Sequence, residues 1–220
     1  MTDSNSDLAA AMTAHKSGDL ATAMAGYRTL LEADPDNPDA HHFLGVALFQ
    51  SGDLDGAEAE IIRSLDLNDR NPSALCNLAR LVLRRRQHEK AFSLLYMASE
   101  LDPNDPAIWV NLGVVCRSLQ KLQLSIDMFS RAAGLAPEMG EAWFNLGLSA
   151  LVAEDFPQAA EAFERASNLS FDGNRAPVWF ATVCHHIGQP ERAIAILESE
   201  LERDPGNPTI DYQLKAFRGE

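Results

Sequence analysis

The chain has 220 residues and a formal net charge of −14, with 46% hydrophobic but only 7% aromatic residues. A strongly acidic surface repels nucleic acid and anionic lipid, and no apolar stretch approaches the ~20 residues that span a bilayer, so neither nucleic acid nor membrane insertion is expected. Residues 1–7 are polar and acidic, unlike a signal or transit peptide, and the three cysteines lie far apart. We therefore expect reduced thiols and a cytoplasmic location.

A 34-residue pattern repeats six times along the chain without insertion or deletion. Each copy has two segments with apolar residues at helical spacing, which predicts two helices per copy. Such a copy buries its apolar face only by stacking on the next, which predicts an all-α solenoid. The predicted units are residues 4–37, 38–71, 72–105, 106–139, 140–173 and 174–207, with a capping helix at 208–220.

Equivalent positions of the copies predict which faces are buried. The first helix carries a large apolar residue followed by a very small one, as at Leu112 and Gly113, which predicts close approach of a neighbouring helix. The second helix carries a small residue and, four positions later, a large one. These pairs are Ala23 and Tyr27, Ala57 and Ile61, Ala91 and Leu95, Ser125 and Phe129, Ala159 and Phe163, and Ala193 and Leu197. That i, i+4 spacing marks a buried face.

Turn residues separate the helices and the copies. Gly18, Gly52 and Gly188 are suited to the left-handed backbone of a tight helix end. Prolines in strings such as Asp34-Pro35-Asp36-Asn37-Pro38 stop one helix and start the next. Phe171 replaces one of these prolines and precedes Asp172-Gly173, which predicts a looser junction before the sixth copy.

These residues resemble the tetratricopeptide repeat. The combination consists of Trp109, Leu112, Gly113, Ser125, Phe129, Ala132 and Pro137, echoed by Trp143, Leu146, Gly147, Ala159, Phe163 and Ala166. The resemblance covers nearly the whole chain. It implies a right-handed superhelix of antiparallel helix pairs, with the first helix of each pair lining a concave groove. It implies a protein-binding role without naming the ligand, because the architecture serves many partners.

Three asparagines, Asn77, Asn111 and Asn145, recur at the sixth position of successive first helices. An asparagine amide both donates and accepts hydrogen bonds, so a row of amides suits the backbone of a peptide. The row resembles the asparagine ladder of the O-linked N-acetylglucosamine transferases, which grips acceptor polypeptides. It is shorter here, because Phe43 precedes it and Trp179 follows it. The alternative is that the amides bond structurally to a neighbouring helix.

The middle of the chain differs in charge from its ends. Residues 1–71 carry 13 acidic and 4 basic side chains and residues 140–220 carry 13 and 6, whereas residues 72–139 carry 6 and 8. Three arginines in that middle region belong to first helices beside the expected groove: Arg80, Arg84 and Arg117. They suit an acidic stretch or a free terminal carboxylate of a partner.

Apolar residues near the asparagines are predicted to form the floor of the groove: Phe49, Val110, Val114, Phe144 and Leu148. An apolar floor beside amides suits an extended peptide or an amphipathic helix. The pairs His41-His42 and His185-His186 lack the i, i+4 partners of a metal site. No phosphate loop or nucleophile motif is present, so no metal, no cofactor and no enzymatic activity are predicted.

Three functional hypotheses remain open. The first is a non-catalytic module that binds an extended or helical protein segment. The second is the substrate-recognition arm of a larger bacterial protein glycosyltransferase, such as one that modifies flagellin, in which case the native gene continues past Glu220. The third is a self-assembling scaffold, whose acidic face meets the basic region of another copy and whose oligomers are sensitive to salt.

Overall fold

A computed structural model of the protein describes residues 4–171 and 175–220, and within these ranges all regular secondary structure is helical. The predicted all-α class of tandem helix pairs is confirmed. The helices form two compact units, residues 1–103 and 104–220. The predicted loose junction at Asp172 and Gly173, and Asn174 at the start of the sixth copy, lie outside the described residues.

The described part of the amino-terminal unit contains six helices. They are α1 (Ser4–Lys16), α2 (Leu20–Ala33), α3 (Pro38–Ser51), α4 (Leu54–Leu67), α5 (Pro72–Arg84) and α6 (His88–Leu101). Each helix packs on the next in sequence, and α3 also contacts α1 and α5. The first helices of the pairs therefore lie side by side and form one continuous face of this unit.

The carboxyl-terminal unit has seven described helices. They are α7 (Pro106–Ser118), α8 (Leu122–Leu135), α9 (Gly140–Val152), α10 (Phe156–Asn168), α11 (Arg175–His186), α12 (Pro190–Arg203) and α13 (Pro208–Arg218). Here too each helix packs on the next, and the first helices α7 and α9 contact each other. The helix at 208–218 covers α12, and its Ile210 and Leu214 are buried.

Helix starts follow from capping chemistry in the sequence. The side-chain oxygen of Asn37 accepts a hydrogen bond from the Ala40 N–H at 3.0 Å, and Asn71 caps Ala74 in the same way at 3.0 Å. A proline follows each cap, where the missing N–H costs nothing. The Asn-Pro pairs therefore set where α3 and α5 begin.

The buried face predicted for the second helices is confirmed. All six small residues and all six large residues of the i, i+4 pairs have no exposed surface, from Tyr27 in α2 to Leu197 in α12. Close approach at the small positions of the first helices is also confirmed. A Cβ atom at Gly113 would lie 2.7 Å from the ring of Phe129, and one at Gly147 would lie 2.8 Å from Phe163.

The turn inside each helix pair places one residue in the left-handed region, and this position recurs every 34 residues. The φ angles are +84° at Gly18, +94° at Gly52, +58° at Arg86, +59° at Gln120, +62° at Glu154 and +79° at Gly188. The prediction for the three glycines is confirmed. The other three copies adopt the same backbone with a side chain present, at a cost in strain.

Candidate partner-binding surface

Four of the predicted site residues meet on α3 and α5 of the amino-terminal unit. The guanidinium carbons of Arg80 and Arg84 lie 5.2 Å and 5.5 Å from the centroid of the Phe49 ring, within range of a cation–π contact. Arg80 Nη1 also donates to Asn77 Oδ1 at 3.4 Å. The two arginines are exposed, Phe49 and Asn77 are half-buried, and together we call these four residues the Arg80 surface.

Charge pairing sets the Arg80 surface apart from its neighbours. Arg63 pairs with Asp36 at 2.6 Å, and Arg85 pairs with Glu58 at 2.8 Å. Within the described residues neither Arg80 nor Arg84 forms a salt bridge. Their positive charge is therefore available to a carboxylate from outside the chain.

Asn77 also binds a histidine of the preceding first helix. Its Nδ2 donates to His42 Nε2 at 2.9 Å, so the neutral ring of His42 carries its proton on Nδ1. Burial lowers the pKa of His42, and the nearby carboxylate of Asp39 opposes that shift. The Asn77 amide is thus held by α3 on one side and by Arg80 on the other, which fixes its orientation.

A pocket of about 340 Å³ opens beside this hydrogen bond, between α1, α2, α3 and α5. Its apolar walls are Met12, Tyr27, Phe43 and Val46, and its polar walls are His15, His42, Gln50 and Asn77. Lys16 stands at its edge and is exposed. We call it the His42 pocket. The Tyr27 and Phe43 rings stack in its wall with their centroids 6.0 Å apart.

The carboxyl-terminal unit uses its asparagine and arginine differently. Arg117 Nη2 donates to Asn145 Oδ1 at 2.9 Å, and Asn145 Nδ2 donates to the carbonyl of Glu141 at 3.0 Å. The Arg117 guanidinium carbon lies 5.4 Å from the centroid of the Phe129 ring, and burial lowers the pKa of Arg117. Arg117 therefore joins α7 to α9 within the unit, and both polar ends of the Asn145 amide are occupied.

Two residues of the predicted apolar floor are buried instead. Val110 is 5% exposed and Phe144 is 4% exposed. The Phe144 ring meets the Phe163 and Phe171 rings, each with centroids 5.7 Å apart. This corrects the prediction for Val110 and Phe144, because a first helix that packs against several neighbours is covered on more than one side. Val114 and Leu148 are half-buried and keep some exposed surface.

The three asparagines of the predicted row have different surroundings. Asn77 and Asn145 bond to side chains of adjacent first helices, as the structural alternative expects. Asn111 is half-buried, and its amide has no hydrogen-bond partner within residues 4–171 and 175–220. The resemblance to a peptide-gripping ladder therefore stays a prediction, and Asn111 is the member whose amide is unoccupied.

Sequence reasoning did not find the contacts of His42 and His15. His42 lies 35 residues before Asn77, which is one repeat length plus one position, and this spacing places it on the neighbouring turn of the preceding first helix. The sequence pattern suggests only the question of metal binding for it, as part of the pair His41-His42. Among the described residues no group of three or more His, Cys, Asp or Glu side chains is arranged to hold a metal ion.

No helix within residues 4–171 and 175–220 is long and apolar enough to cross a membrane. Two of the three thiols, Cys116 and Cys184, are buried, and burial raises the pKa of each, whereas Cys76 is half-buried.

Two models of the tetratricopeptide repeat family match the sequence. The first matches residues 14–81, and the second matches residues 117–172 and 144–208. The matched stretches lie in both compact units. None of the curated proteins matches this sequence.

Several solved structures share the fold. PilF of Pseudomonas aeruginosa is 18% identical with a TM-score of 0.81, over 98% of this chain and 96% of that one. YrrB, described as a TPR protein with an unusual peptide-binding site, is 16% identical with a TM-score of 0.71, over 86% and 97%. MamA from Desulfovibrio magneticus RS-1 is 20% identical with a TM-score of 0.69, over 77% and 96%. At this level of identity, the likeness is one of fold.

Proposed function

Because this chain belongs to the tetratricopeptide repeat family, we propose that it is a non-catalytic module that binds a segment of a partner protein on the first helices of its amino-terminal unit. The observation that carries the proposal is the Arg80 surface, where two exposed guanidiniums flank an aromatic ring and an oriented amide and form no ion pair with any described residue. That combination offers charge, apolar contact and a hydrogen-bonding group within one small area.

The chemistry of this surface suits a segment that carries a carboxylate. Arginine binds carboxylates through paired N–H donors, and the partner supplies either an acidic side chain or a free carboxyl terminus. The exposed part of Phe49 contributes apolar contact to the same segment. Either an extended peptide or one face of a helix has the width to lie along adjacent first helices.

YrrB supports the proposal by analogy, since it is described as having a peptide-binding site. The remaining predicted contacts, Asn111, Val114 and Leu148, belong to the carboxyl-terminal unit, and their contact with a partner stays a prediction. The roles of glycosyltransferase arm and of self-assembling scaffold stay predictions, because no contact among the described residues favours either of them.

A photo-crosslinking experiment tests the proposal. Benzoylphenylalanine replaces Phe49 in one preparation and Tyr212 in another. Tyr212 is a 75% exposed aromatic residue on α13 and serves as the matched control. Both are irradiated in lysate of the source cells, and adducts are identified by mass spectrometry.

The expected result is a protein that is crosslinked from position 49 and not from position 212. This adduct is lost when Arg80→Glu and Arg84→Glu are added, while circular dichroism shows that the helices remain. If the same proteins are captured from both positions, or if the charge reversals change nothing, the Arg80 surface is not the binding site.

A further inference from the structure

The His42 pocket has the size of a site for one side chain. Its volume of about 340 Å³ lies near the lower end of the range for small-ligand pockets, roughly 300–1,000 Å³. Interfaces between proteins concentrate their binding energy where one bulky side chain of a partner fills such a pocket. A single aromatic or large aliphatic residue is therefore a suitable occupant.

Polar side chains of the pocket wall are hydrogen-bonded to one another in pairs. The Tyr27 hydroxyl donates to His15 Nδ1 at 3.2 Å, and His15 Nε2 donates to Gln50 Oε1 at 3.2 Å. The remaining pair is the hydrogen bond from Asn77 to His42. Beside these hydrogen-bonded pairs, Met12, Phe43 and Val46 form an apolar wall, so the pocket complements an apolar group.

Positive charge at the edge of the pocket indicates which chemical group of the partner lies next to its apolar side chain. Lys16 lies on the α1 side, and Arg80, which bonds to the Asn77 of the pocket wall, lies on the α5 side. Neither cation forms a salt bridge with the described residues. The part of the unit that precedes α5 is otherwise acidic, because residues 1–71 carry 13 acidic and 4 basic side chains. Positive charge at the pocket edge therefore marks where a carboxylate is favoured.

We propose that the His42 pocket is an anchor site that receives one large apolar side chain of the partner segment, while a carboxylate within a few residues of it binds Arg80 and Arg84. This inference rests on the proposed function and narrows it. The partner is a protein segment that pairs a bulky apolar residue with an acidic residue or a free carboxyl terminus. A purely acidic segment gains the arginine contacts but leaves the pocket empty, so it binds more weakly.

A peptide selection tests this specificity without knowledge of the natural partner. A display library of random peptides of about twelve residues is selected on the wild-type chain, and the enriched sequences are compared with the starting pool. One enriched peptide is synthesised with a fluorophore for titration. The expected enrichment is a large apolar residue close to Asp, Glu or the peptide carboxyl terminus.

A matched pair of variants then locates the binding site. Val46→Glu places a charged group inside the pocket, and Ile62→Glu makes the same change at a 39% exposed residue on α4 of the same unit. The two variants have equal net charge, so a loss of binding that is specific to Val46→Glu comes from the position of the new group and not from the net charge of the chain. We expect Val46→Glu to weaken binding at least tenfold, and Ile62→Glu to stay within about twofold of wild type. Val46→Phe, which fills the pocket without charge, is expected to weaken binding as well.

The outcomes separate the inference from the proposed function. If peptides are enriched but bind Val46→Glu, Val46→Phe and wild type equally, the pocket is not the anchor site, and the binding module itself stands. If the enriched peptides lack a large apolar residue, the inference also fails. If the wild type enriches no peptide over the starting pool, both the proposed function and the inference are overturned. Circular dichroism of each variant shows whether its helices are intact.

Discussion

The Asn77–Arg80 pair in the amino-terminal unit and the Asn145–Arg117 pair in the carboxyl-terminal unit use the same residue types on first helices, but for different purposes. In the first pair the arginine is exposed and bonds weakly to the amide at 3.4 Å. In the second it is half-buried, and its Nη2 donates to the amide oxygen at 2.9 Å.

The difference follows from where the guanidinium lies. Arg80 is placed on α5 so that its guanidinium lies over the exposed side of Phe49, whereas Arg117 lies over Phe129, which has no exposed surface. A repeated residue type therefore does not imply a repeated function. The contact beneath the side chain determines whether its charge is available to a partner or holds two helices together.

The largest expected loss of stability comes from removing the aromatic rings that lie beneath the arginines. Phe129→Ala should lower the free energy of unfolding by about 3–5 kcal/mol, because it empties a fully buried site. Phe49→Ala should cost about 1 kcal/mol, since the ring is half-buried. Urea denaturation followed by circular dichroism measures both. Equal losses would show that the two rings are equally structural, and the comparison would fail.

The second effect concerns the arginines. Arg117→Ala should destabilise the chain by about 1–3 kcal/mol, because the Asn145 oxygen loses its donor in a half-buried setting. Arg80→Ala should stay within about 0.5 kcal/mol of wild type, as is usual for an exposed residue. Urea denaturation followed by circular dichroism measures both losses, with Arg80→Ala as the control. A loss for Arg80→Ala as large as that for Arg117→Ala would contradict the account.

The third effect concerns the left-handed turn position, which holds Gly52 in one unit and Gln120 in the other. Gln120→Gly should raise the melting temperature slightly. Glycine adopts a φ of +59° without strain but loses more backbone entropy on folding, so the free energy of unfolding should rise by only about 0.5 kcal/mol. Gly52→Gln should lower stability by about 1 kcal/mol. Differential scanning calorimetry of both variants checks the pair. A stabilised Gly52→Gln variant would disprove the strain argument.

The smallest effect is a pH dependence that belongs to the amino-terminal unit. Burial lowers the pKa of His42, although Asp39 opposes this, so the unfolded chain takes up a proton more readily than the folded chain as pH falls through the ordinary histidine value. This contribution to the free energy of unfolding is therefore full near pH 7.5 and is lost towards pH 5. His42→Gln should remove it. If denaturation curves of wild type and His42→Gln change equally between those pH values, His42 is not responsible.

The helix pairs and their buried faces were predictable from the sequence, because positions that are buried in every copy carry the same types of residue at a fixed spacing. The small and large residues of the second helices, such as Ala57 and Ile61, recur at fixed spacing and are all buried. The candidate site was harder to predict, because exposure on a first helix depends on what its neighbours cover. Val110 and Phe144 are apolar at positions beside the asparagines, and packing within their unit buries them.

The His42 pocket illustrates what a linear pattern misses. Its bonds join residues 12 and 35 positions apart, from His15 to Tyr27, from His15 to Gln50 and from His42 to Asn77. His15, His42 and Gln50 do not belong to the repeat consensus that identifies the family, whereas Tyr27 does. Only the arrangement of these residues in space shows that they hydrogen-bond to one another beside an open apolar surface.

We infer that the exposed arginines of the amino-terminal unit bind the partner's carboxylate, whereas Arg117 stabilises the fold by joining α7 to α9. The most direct test is the dissociation constant of one enriched peptide for three proteins: wild type, the Arg80→Ala, Arg84→Ala double variant and Arg117→Ala. Each is measured at about 50 mM and about 300 mM salt, at a temperature where all three are folded, since screening weakens exposed charge pairs most.

We expect the double variant to bind at least tenfold more weakly at low salt and to lose most of its salt dependence. Arg117→Ala should keep both the wild-type affinity, within about twofold, and the wild-type salt dependence. The opposite pattern, in which Arg117→Ala loses binding and the double variant keeps it, would contradict the claim and place the partner on the carboxyl-terminal unit.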